Sequence, residues 1–150
     1  MNINFFMNKA INQAKIGFKK DEVPIGAVLV DNITNKIVSS SYNCVNLFKN
    51  ATSHAELLII NEACKKLDSK FLDNTSLFVT LEPCTMCSAA ISETHIKRVY
   101  FGAFDEKKGS LESIIKLYNQ KHYFVPEVYG GICEEECSKL LKKFFKLKRK

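Results

Sequence analysis

Two short segments, Ser53-His54-Ala55-Glu56 and Pro83-Cys84-Thr85-Met86-Cys87, organise the rest of this chain. They supply one histidine and two cysteines, a typical ligand set for zinc, and a catalytic zinc keeps three protein ligands and leaves a fourth position for water. Cys84 and Cys87 are three residues apart, so both sulfurs can face one ion from the first turn of a helix. His54 comes from a different element, and the predicted metal site therefore ties two distant parts of the chain together.

Glu56 lies two residues after His54, close enough to act on a metal-bound water without being a ligand itself. Other interpretations fit each segment taken separately. Ser53 and Glu56 match a capping box at the start of a helix, and Pro83 suits the first helical position. A Cys-x-x-Cys pair also occurs in redox sites and in structural zinc sites. The combination of H-x-E with P-C-x-x-C favours a catalytic metal site over these separate interpretations.

The composition is that of a folded protein without a membrane segment. A length of 150 residues and a hydrophobic content of 46% predict a single domain, residues 1–150, with a substantial core. No apolar run reaches the length of a membrane span, and the N-terminal residues do not resemble a signal peptide. Six cysteines without a secretion signal indicate a reduced setting. We therefore expect a cytoplasmic protein.

The net charge of +6 is concentrated at the C-terminus. The last nine residues hold six cations and no acid, and the remaining 16 basic residues are balanced by 16 acidic ones. A basic run of this kind suits a polyanion such as nucleic acid, although a solubilising tail has the same composition. The six cations are Lys142, Lys143, Lys146, Lys148, Arg149 and Lys150.

Hydrophobic periodicity predicts alternating helices and strands. Apolar residues at three- and four-residue steps from Ile3 mark an amphipathic helix that ends near residues 17–20, and residues 45–50 are expected to form a loop. The first two strands suit a hairpin and the later strands need helical crossovers, which predicts a three-layer α/β fold with a mixed sheet. The other expected elements are strands over 23–30, 36–42, 76–81, 97–101 and 125–129, and helices over 54–67, from near 84, over 111–118 and over 134–147.

The two motifs are accompanied by further segments across nearly the whole chain, namely Glu22–Val28, Tyr42-Asn43, Thr52–Glu56, Val79–Cys87, Val99–Ala103 with Asp105, and Glu135–Cys137 leading into Phe144–Lys146. With these segments the chain resembles the cytidine deaminase superfamily and, within it, the bacterial tRNA-specific adenosine deaminases. The H-x-E and P-C-x-x-C motifs are typical of the superfamily. The Leu-Glu-Pro-Cys-Thr-Met-Cys form, the Phe-Gly-Ala segment and the Phe-Phe-basic ending are typical of the tRNA branch.

This resemblance implies a three-layer α/β/α cytidine deaminase-like fold with a five-stranded mixed sheet, usually in a homodimer. It implies one zinc ion per chain on His54, Cys84 and Cys87, with Glu56 as the proton shuttle. The implied substrate is the adenosine at the wobble position of a tRNA anticodon, which becomes inosine. Zinc lowers the pKa of its bound water to around 7, and the resulting hydroxide attacks C6 while ammonia leaves.

The resemblance also implies contacts to the substrate outside the metal centre. Asn43 is expected to contact the base, although its position after a strand also suits an ordinary turn asparagine. Independently of the resemblance, at least one of the neighbouring Phe144 and Phe145 is expected to anchor the C-terminal helix, because aromatic pairs more often belong to a core. The other expected contacts are Ala55, Glu82 and Asp105 for the substrate, and Phe145, Lys146, Lys148 and Arg149 for the RNA.

The chain departs from the usual family pattern in two loops. Asn50-Ala51 replaces a frequent Asp-Pro, and the segment after Lys107-Lys108-Gly109 is shorter than in many relatives. Both departures concern loop contacts with the substrate and leave the chemistry unchanged.

Two other functions remain open at the level of the sequence. A deaminase of a free nucleobase or nucleotide, of the cytosine or guanine type, shares every zinc residue, but a small substrate has no use for a basic tail. A non-catalytic, zinc-stabilised partner subunit is the other alternative, and Glu56 argues against it because a structural zinc site is closed by four ligands.

Four cysteines lie outside the zinc motif. Cys133 and Cys137 are interpreted as small buried hydrophobic residues. Cys44 is also expected to fill the core, although its position next to Asn43 would suit the lining of a pocket. Cys64 carries no further signal in the sequence.

Overall fold

A five-stranded sheet forms the centre of the computed structural model, which describes residues 1–149. Lys150, the last cation of the predicted basic tail, lies outside the described residues. The strands are β1 (Gly26–Asp31), β2 (Ile37–Tyr42), β3 (Thr75–Leu81), β4 (Arg98–Ala103) and β5 (Glu127–Tyr129). The helices are α1 (Ile3–Lys19), α2 (Val45–Phe48), α3 (Ala55–Leu67), α4 (Thr85–Glu93) and α5 (Glu134–Lys148), with a short 3-10 helix at Leu117–Asn119.

The strands lie in the order β2-β1-β3-β4-β5. β1 pairs antiparallel with both β2 and β3, whereas β3 with β4 and β4 with β5 pair in parallel. Parallel neighbours need a crossover, and α4 provides it between β3 and β4. The hairpin, the mixed sheet and the five strands confirm the fold class predicted from the sequence.

The two faces of the sheet bury separate cores, because successive side chains of a strand point to opposite faces. Ala27 and Leu29 of β1 face the core that α3 and α4 cover. Val28 and Val30 face the core that α1 and α5 cover. These two cores produce the three layers, helix on sheet on helix, that the alternation of elements predicts.

Segment 111–118 is the clearest departure from the sequence prediction, because no α-helix covers it. The backbone N–H groups of Leu111, Glu112 and Ser113 donate to the buried carboxylate of Glu82 instead of to carbonyls one turn earlier. The helical pattern therefore does not develop, and only the 3-10 helix at 117–119 forms.

Residues 45–50 show the opposite error, since the predicted loop contains α2. The backbone N–H groups of Asn46 and Leu47 donate to the buried carboxylate of Glu22, at 3.0 and 2.7 Å. A carboxylate at a helix N-terminus stabilises exposed N–H groups, and in the sequence this one is 23 residues before α2. A prediction based on residues 45–50 alone cannot detect this cap, because the capping carboxylate lies far away in the sequence.

The fold brings two helix N-termini together at one end of the sheet. β3 runs directly through Glu82 and Pro83 into α4, and α3 packs against α4. Ligands of open α/β sheets bind at the carboxyl ends of the parallel strands.

No helix in residues 1–149 combines the length and the apolar character needed to span a bilayer.

Candidate active site

The structure brings the three predicted metal ligands, His54, Cys84 and Cys87, into one cluster. Nδ1 of His54 lies 3.7 Å from Sγ of Cys84 and 3.6 Å from Sγ of Cys87. Tetrahedral zinc with ordinary Zn–N and Zn–S distances places nitrogen and sulfur ligands about 3.6 Å apart. The donor types and their spacing therefore fit zinc with three protein ligands.

Helix starts hold all three ligands. His54 is the residue immediately before α3, Cys84 is the residue immediately before α4, and Cys87 lies in the first turn of α4. A helix N-terminus carries a partial positive charge and favours thiolate over thiol. The sequence prediction that both sulfurs face one ion from the first turn is consistent with this placement.

The capping box considered for Ser53 and Glu56 does not form. Helix α3 begins at Ala55, and the group that accepts its first N–H is Oδ1 of Asn43, at 2.8 Å. Glu56 therefore occupies the second helical position, and its carboxyl group does not take part in a reciprocal cap with Ser53. Asn43, and not Ser53, caps α3, because Asn43 directly follows β2 and is buried next to the start of α3.

Hydrogen bonding within the cluster shifts the pKa values of the two cysteines in opposite directions. The hydrogen bond with Cys87 lowers the pKa of Cys84 to about 4, and the hydrogen bond with His54 acts in the same direction. The hydrogen bond with Cys84 raises the pKa of Cys87 far above its ordinary value. It also raises the pKa of His54. Because zinc needs deprotonated ligands, its binding competes with protons at Cys87 and His54, whose pKa values are raised.

Glu56 is 4% exposed and lies in the first turn of α3, next to the cluster. Burial raises the pKa of its carboxyl group to about 7, and a hydrogen bond to its own backbone N–H, the charge of His54 and a hydrogen bond with Cys87 oppose this shift only in part. A carboxyl group with a pKa near neutral pH can both accept and donate a proton. Its position and its pKa suit a proton carrier that is not itself a metal ligand.

Two of the expected substrate contacts, Asn43 and Ala55, are bonded to each other. The backbone N–H of Ala55 is used by Oδ1 of Asn43, and the Ala55 side chain is fully buried in the core. Ala55 therefore has no free donor for a substrate. The side-chain amide nitrogen of Asn43 has no hydrogen-bond partner in residues 1–149 and is not fully enclosed, so its two donors are available to a ligand.

The other two expected substrate contacts, Glu82 and Asp105, organise a loop. The Glu82 carboxylate is 2% exposed and accepts hydrogen bonds from the loop that follows β4. Oδ1 of Asp105 accepts the backbone N–H groups of Lys107 and Lys108, at 3.0 and 3.1 Å. These contacts give both carboxylates a structural role, and a direct contact of either with the substrate stays a prediction.

A groove next to the cysteine ligands contains residues that the motifs do not indicate. Its volume is about 350 Å³. Oγ1 of Thr85 and Oγ of Ser110 lie 2.6 Å apart and join α4 to the loop after β4. In the sequence, only the lysine-rich composition of this loop hints at a role. The groove is lined by Cys84, Thr85, Met86, Lys107, Lys108, Ser110, Ile114 and Ile115.

The basic tail divides into anchored and exposed side chains. Phe144 is 6% exposed and packs edge-on against Phe18, at 5.6 Å between ring centroids, whereas Phe145 is 46% exposed. This confirms that one of the two phenylalanines anchors the helix. Lys148 forms an ion pair with Asp21. Lys146 and Arg149 are exposed, and neither has an ion-pair partner in residues 1–149.

The remaining cysteines follow the prediction in part. Cys44 and Cys137 are buried, as expected for core residues. Cys133 is only half-buried and has a positive φ of 54° at the start of α5, so the expectation that it is buried is wrong. All six cysteines are free thiols.

Known proteins resemble this chain over most of its length. The family of the cytidine and deoxycytidylate deaminase zinc-binding region matches residues 1–103. A tRNA-specific adenosine deaminase from Rickettsia bellii is 48% identical over 141 residues, which is 93% of this chain and 97% of the relative. A tRNA-specific adenosine deaminase from Bacillus subtilis is 41% identical over 97% of this chain and 89% of its own.

A solved structure from studies of A-to-I editing by tRNA:A34 deaminases at the wobble position of transfer RNA is similar in fold and sequence. Its TM-score is 0.88 and its identity 41%, over 91% of this chain and 99% of the solved one. The solved guanine deaminase from Bacillus subtilis is more distant, with a TM-score of 0.65 and 29% identity, over 77% of this chain and 83% of the solved one.

Proposed function

Because the chain belongs to the zinc-binding cytidine and deoxycytidylate deaminase family and, within it, to the tRNA-specific adenosine deaminases, we propose that it converts adenosine to inosine at the wobble position of a tRNA anticodon. The chemistry rests on one observation, the cluster of His54, Cys84 and Cys87 beside the buried carboxyl group of Glu56. The choice of substrate is supported by 41–48% identity to tRNA deaminases over nearly their full length.

Three residues hold the cofactor. His54, Cys84 and Cys87 bind one zinc ion per chain, and bound zinc lowers the pKa of water to around 7, so that a nucleophile is available at neutral pH. The donors fit because the His54 nitrogen already lies at tetrahedral spacing from each of the two sulfurs.

Glu56 moves the protons of the reaction. Its carboxylate accepts a proton from the attacking water, delivers one to N1 of adenine, and delivers another to the amine that leaves C6. A single carboxyl group can serve as base and as acid, because each transfer returns it to its earlier state. Burial supports this role, since it raises the pKa of Glu56 to about 7 and makes both forms accessible.

Asn43 orients the base. Its side-chain oxygen is fixed by the Ala55 N–H, which leaves the amide N–H groups free to donate to a ring nitrogen or a hydroxyl of the nucleoside. The wobble nucleotide lies in a loop, so it enters such a pocket at little cost in base pairing.

The exposed part of the tail contacts the RNA. Lys146 and Arg149 supply cations for phosphates, and the exposed ring of Phe145 offers a surface for stacking against a base. Lys148 contributes less, because its ammonium group already pairs with Asp21.

The remaining assignments follow from this function. A tRNA substrate and six free thiols suit a cytoplasmic protein. Two cores on one sheet support a single domain. The homodimer stays a prediction, for which the exposed Leu47 and Phe48 of α2 offer an apolar surface. Light scattering coupled to size-exclusion chromatography measures whether the chain is dimeric.

Incubation of the purified zinc protein with total tRNA, followed by mapping of inosine, tests the function. We expect inosine at the first anticodon position and nowhere else, and a rate of inosine formation lowered by about 10²- to 10⁴-fold in the Glu56→Gln variant. Guanine and cytosine, offered to the same preparation, test the free-base alternative. Ammonia release from guanine without inosine in tRNA would overturn the proposal in favour of that alternative.

A further inference from the structure

The carboxylate of Glu82 collects more hydrogen bonds than an ordinary buried glutamate. Oε2 accepts the backbone N–H groups of Leu111, Glu112 and Ser113 at 3.1, 2.7 and 3.0 Å. Oε1 accepts the N–H of Asp105 at 3.1 Å and the hydroxyl of Ser113. None of the ion pairs in residues 1–149 includes this carboxylate. The charge of Glu82 is therefore balanced only by the donors of one loop.

Both ends of that loop are hydrogen-bonded to the Glu82 carboxylate. Glu82 fixes the loop at residue 105 and again at residues 111–113, so that residues 106–110 form a closed turn between the two attachments. Within the turn, the carboxylate of Asp105 holds the N–H groups of Lys107 and Lys108. The backbone of Gly109 lies against Glu82, where a side chain would collide with the carboxylate.

The turn forms one wall of the groove beside the metal ligands. Lys107, Lys108 and Ser110 line this groove together with Cys84 and Thr85. Ser110 is fixed from both sides, since its N–H donates to the carbonyl of Pro83 at 3.0 Å and its hydroxyl contacts Thr85. The positions of the two exposed lysines therefore depend on the turn, and the turn depends on Glu82.

We propose that Glu82 is a positioning residue for the RNA substrate, because it fixes the 105–113 loop so that Lys107 and Lys108 lie at the groove beside the metal ligands. The inference rests on the proposed function, since it assumes that a polyanion crosses this groove. Phosphate groups next to the target nucleotide are the ligands that two lysines in this position recognise. A neutral amide cannot replace the carboxylate, because its NH₂ group would face the N–H donors of the loop.

The test uses a tRNA transcript and the zinc-loaded Glu82→Gln variant. We expect one zinc per chain as in the wild type, a KM raised by about tenfold or more, and a kcat within about threefold, because an uncharged partner weakens several charge-assisted hydrogen bonds at once. The dependence of log KM on log salt should also become shallower, since phosphate contacts are lost. The Ser113→Ala variant should shift KM in the same direction by less.

A double-mutant cycle separates this role from general stabilisation. In a Lys107→Ser, Lys108→Ser background, Glu82→Gln should raise KM by less than about twofold, since the two changes remove the same contacts. Glu22→Gln is the matched control, because Glu22 is equally buried and holds α2 through two N–H groups. Its effect on KM should add to that of the lysine pair.

Three outcomes would overturn the inference. They are an unchanged KM and salt slope in Glu82→Gln, full additivity with the lysine pair, or loss of zinc, which would assign Glu82 to the metal site. If Glu82→Gln does not fold, an unchanged KM in Ser113→Ala has the same meaning. Wild-type inosine formation in the same assay keeps this result separate from the proposed function, whose failure would appear as inactive wild type.

Discussion

Two buried carboxylates, Glu56 and Glu82, flank Cys84 and have opposite surroundings. Glu56 is buried beside the three predicted metal ligands, and burial raises its pKa to about 7. Glu82 is just as buried, and burial pushes its pKa upward too, but the hydroxyl of Ser113 and several backbone N–H groups hold its pKa below the ordinary value. Low solvent exposure alone therefore does not decide the charge of a carboxyl group, because hydrogen-bond donors aimed at it lower its pKa.

This difference separates a proton carrier from an anchor. A carboxyl group that exchanges protons near pH 7 serves the reaction, whereas one that stays ionised serves as a fixed acceptor for backbone N–H groups. Four expected outcomes test or refine the contrast, beginning with the largest effect.

Replacement of Glu56 by glutamine should lower the rate of inosine formation by about 10²- to 10⁴-fold, because the amide cannot carry protons. Zinc content and melting temperature should stay close to those of the wild type. Metal analysis and single-turnover kinetics measure both. The Cys84→Ala, Cys87→Ala variant is the control, in which zinc and stability should be lost together. A near-normal rate in Glu56→Gln would remove Glu56 from the chemistry, and loss of zinc would make it a ligand.

The metal-free protein should reveal the raised pKa of Glu56 as a pH dependence of stability. Between the ordinary pKa of 4.5 and about 7 the folded protein holds a proton that the unfolded chain releases. The free energy of unfolding therefore falls as pH rises through this range. One pKa unit corresponds to ~1.4 kcal/mol, so the loss is a few kcal/mol at most.

Chemical unfolding of the chelated wild type and of chelated Glu56→Gln at pH 5 and pH 8 measures this loss. The glutamine variant should gain stability relative to the wild type at pH 8, because it has no charge to bury. An equal difference between the two proteins at both pH values would contradict the raised pKa.

Replacement of Gly109 by alanine should disturb the anchor without touching the proton carrier. The new methyl group collides with the Glu82 carboxylate and with the carbonyl of Asp105. Overpacking of this kind costs about 1–3 kcal/mol. We expect a lower melting temperature and a higher KM for tRNA at a nearly unchanged kcat. Glu106→Ala, an exposed neighbour in the same turn, should change neither quantity; a fall in kcat with KM unchanged in Gly109→Ala would argue against the loop as a positioning element.

The metal site was predictable because its functional residues occur as pairs that are close in the sequence. The pairs His54 with Glu56 and Cys84 with Cys87 are each within three residues, and helix geometry converts that spacing into a common direction. Their convergence at 3.6–3.7 Å is a tertiary fact, but the ligand types leave few other arrangements. The strands of the sheet were predictable for a similar reason, since their apolar runs are short and bounded by turns.

The loops were not predictable, because distant carboxylates shape them. Periodicity assigns a helix to residues 111–118, yet Glu82 takes the N–H groups that a helix needs. Composition assigns a loop to residues 45–50, yet Glu22 caps a helical turn there. In both cases the deciding acceptor is more than 20 residues away in the sequence, which is outside the reach of any local pattern.

The basic tail ends α5, which covers the face of the sheet opposite to α3, and should give the smallest effect. Lys146 and Arg149 are exposed, so replacing both with serine should change the free energy of unfolding by less than about 0.5 kcal/mol. The same variant should bind tRNA more weakly, and the slope of log Kd against log salt should fall by about one for each lost phosphate contact. Fluorescence anisotropy with a labelled tRNA at several salt concentrations measures this slope.

Lys148→Ser is the matched control, because Lys148 pairs with Asp21 and lies over the Phe144 ring at 5.6 Å. It should cost up to about 1 kcal/mol of stability and change the slope less. An unchanged affinity and slope in the double variant would leave the tail as a solubilising end and place RNA recognition entirely on the groove that Glu82 organises.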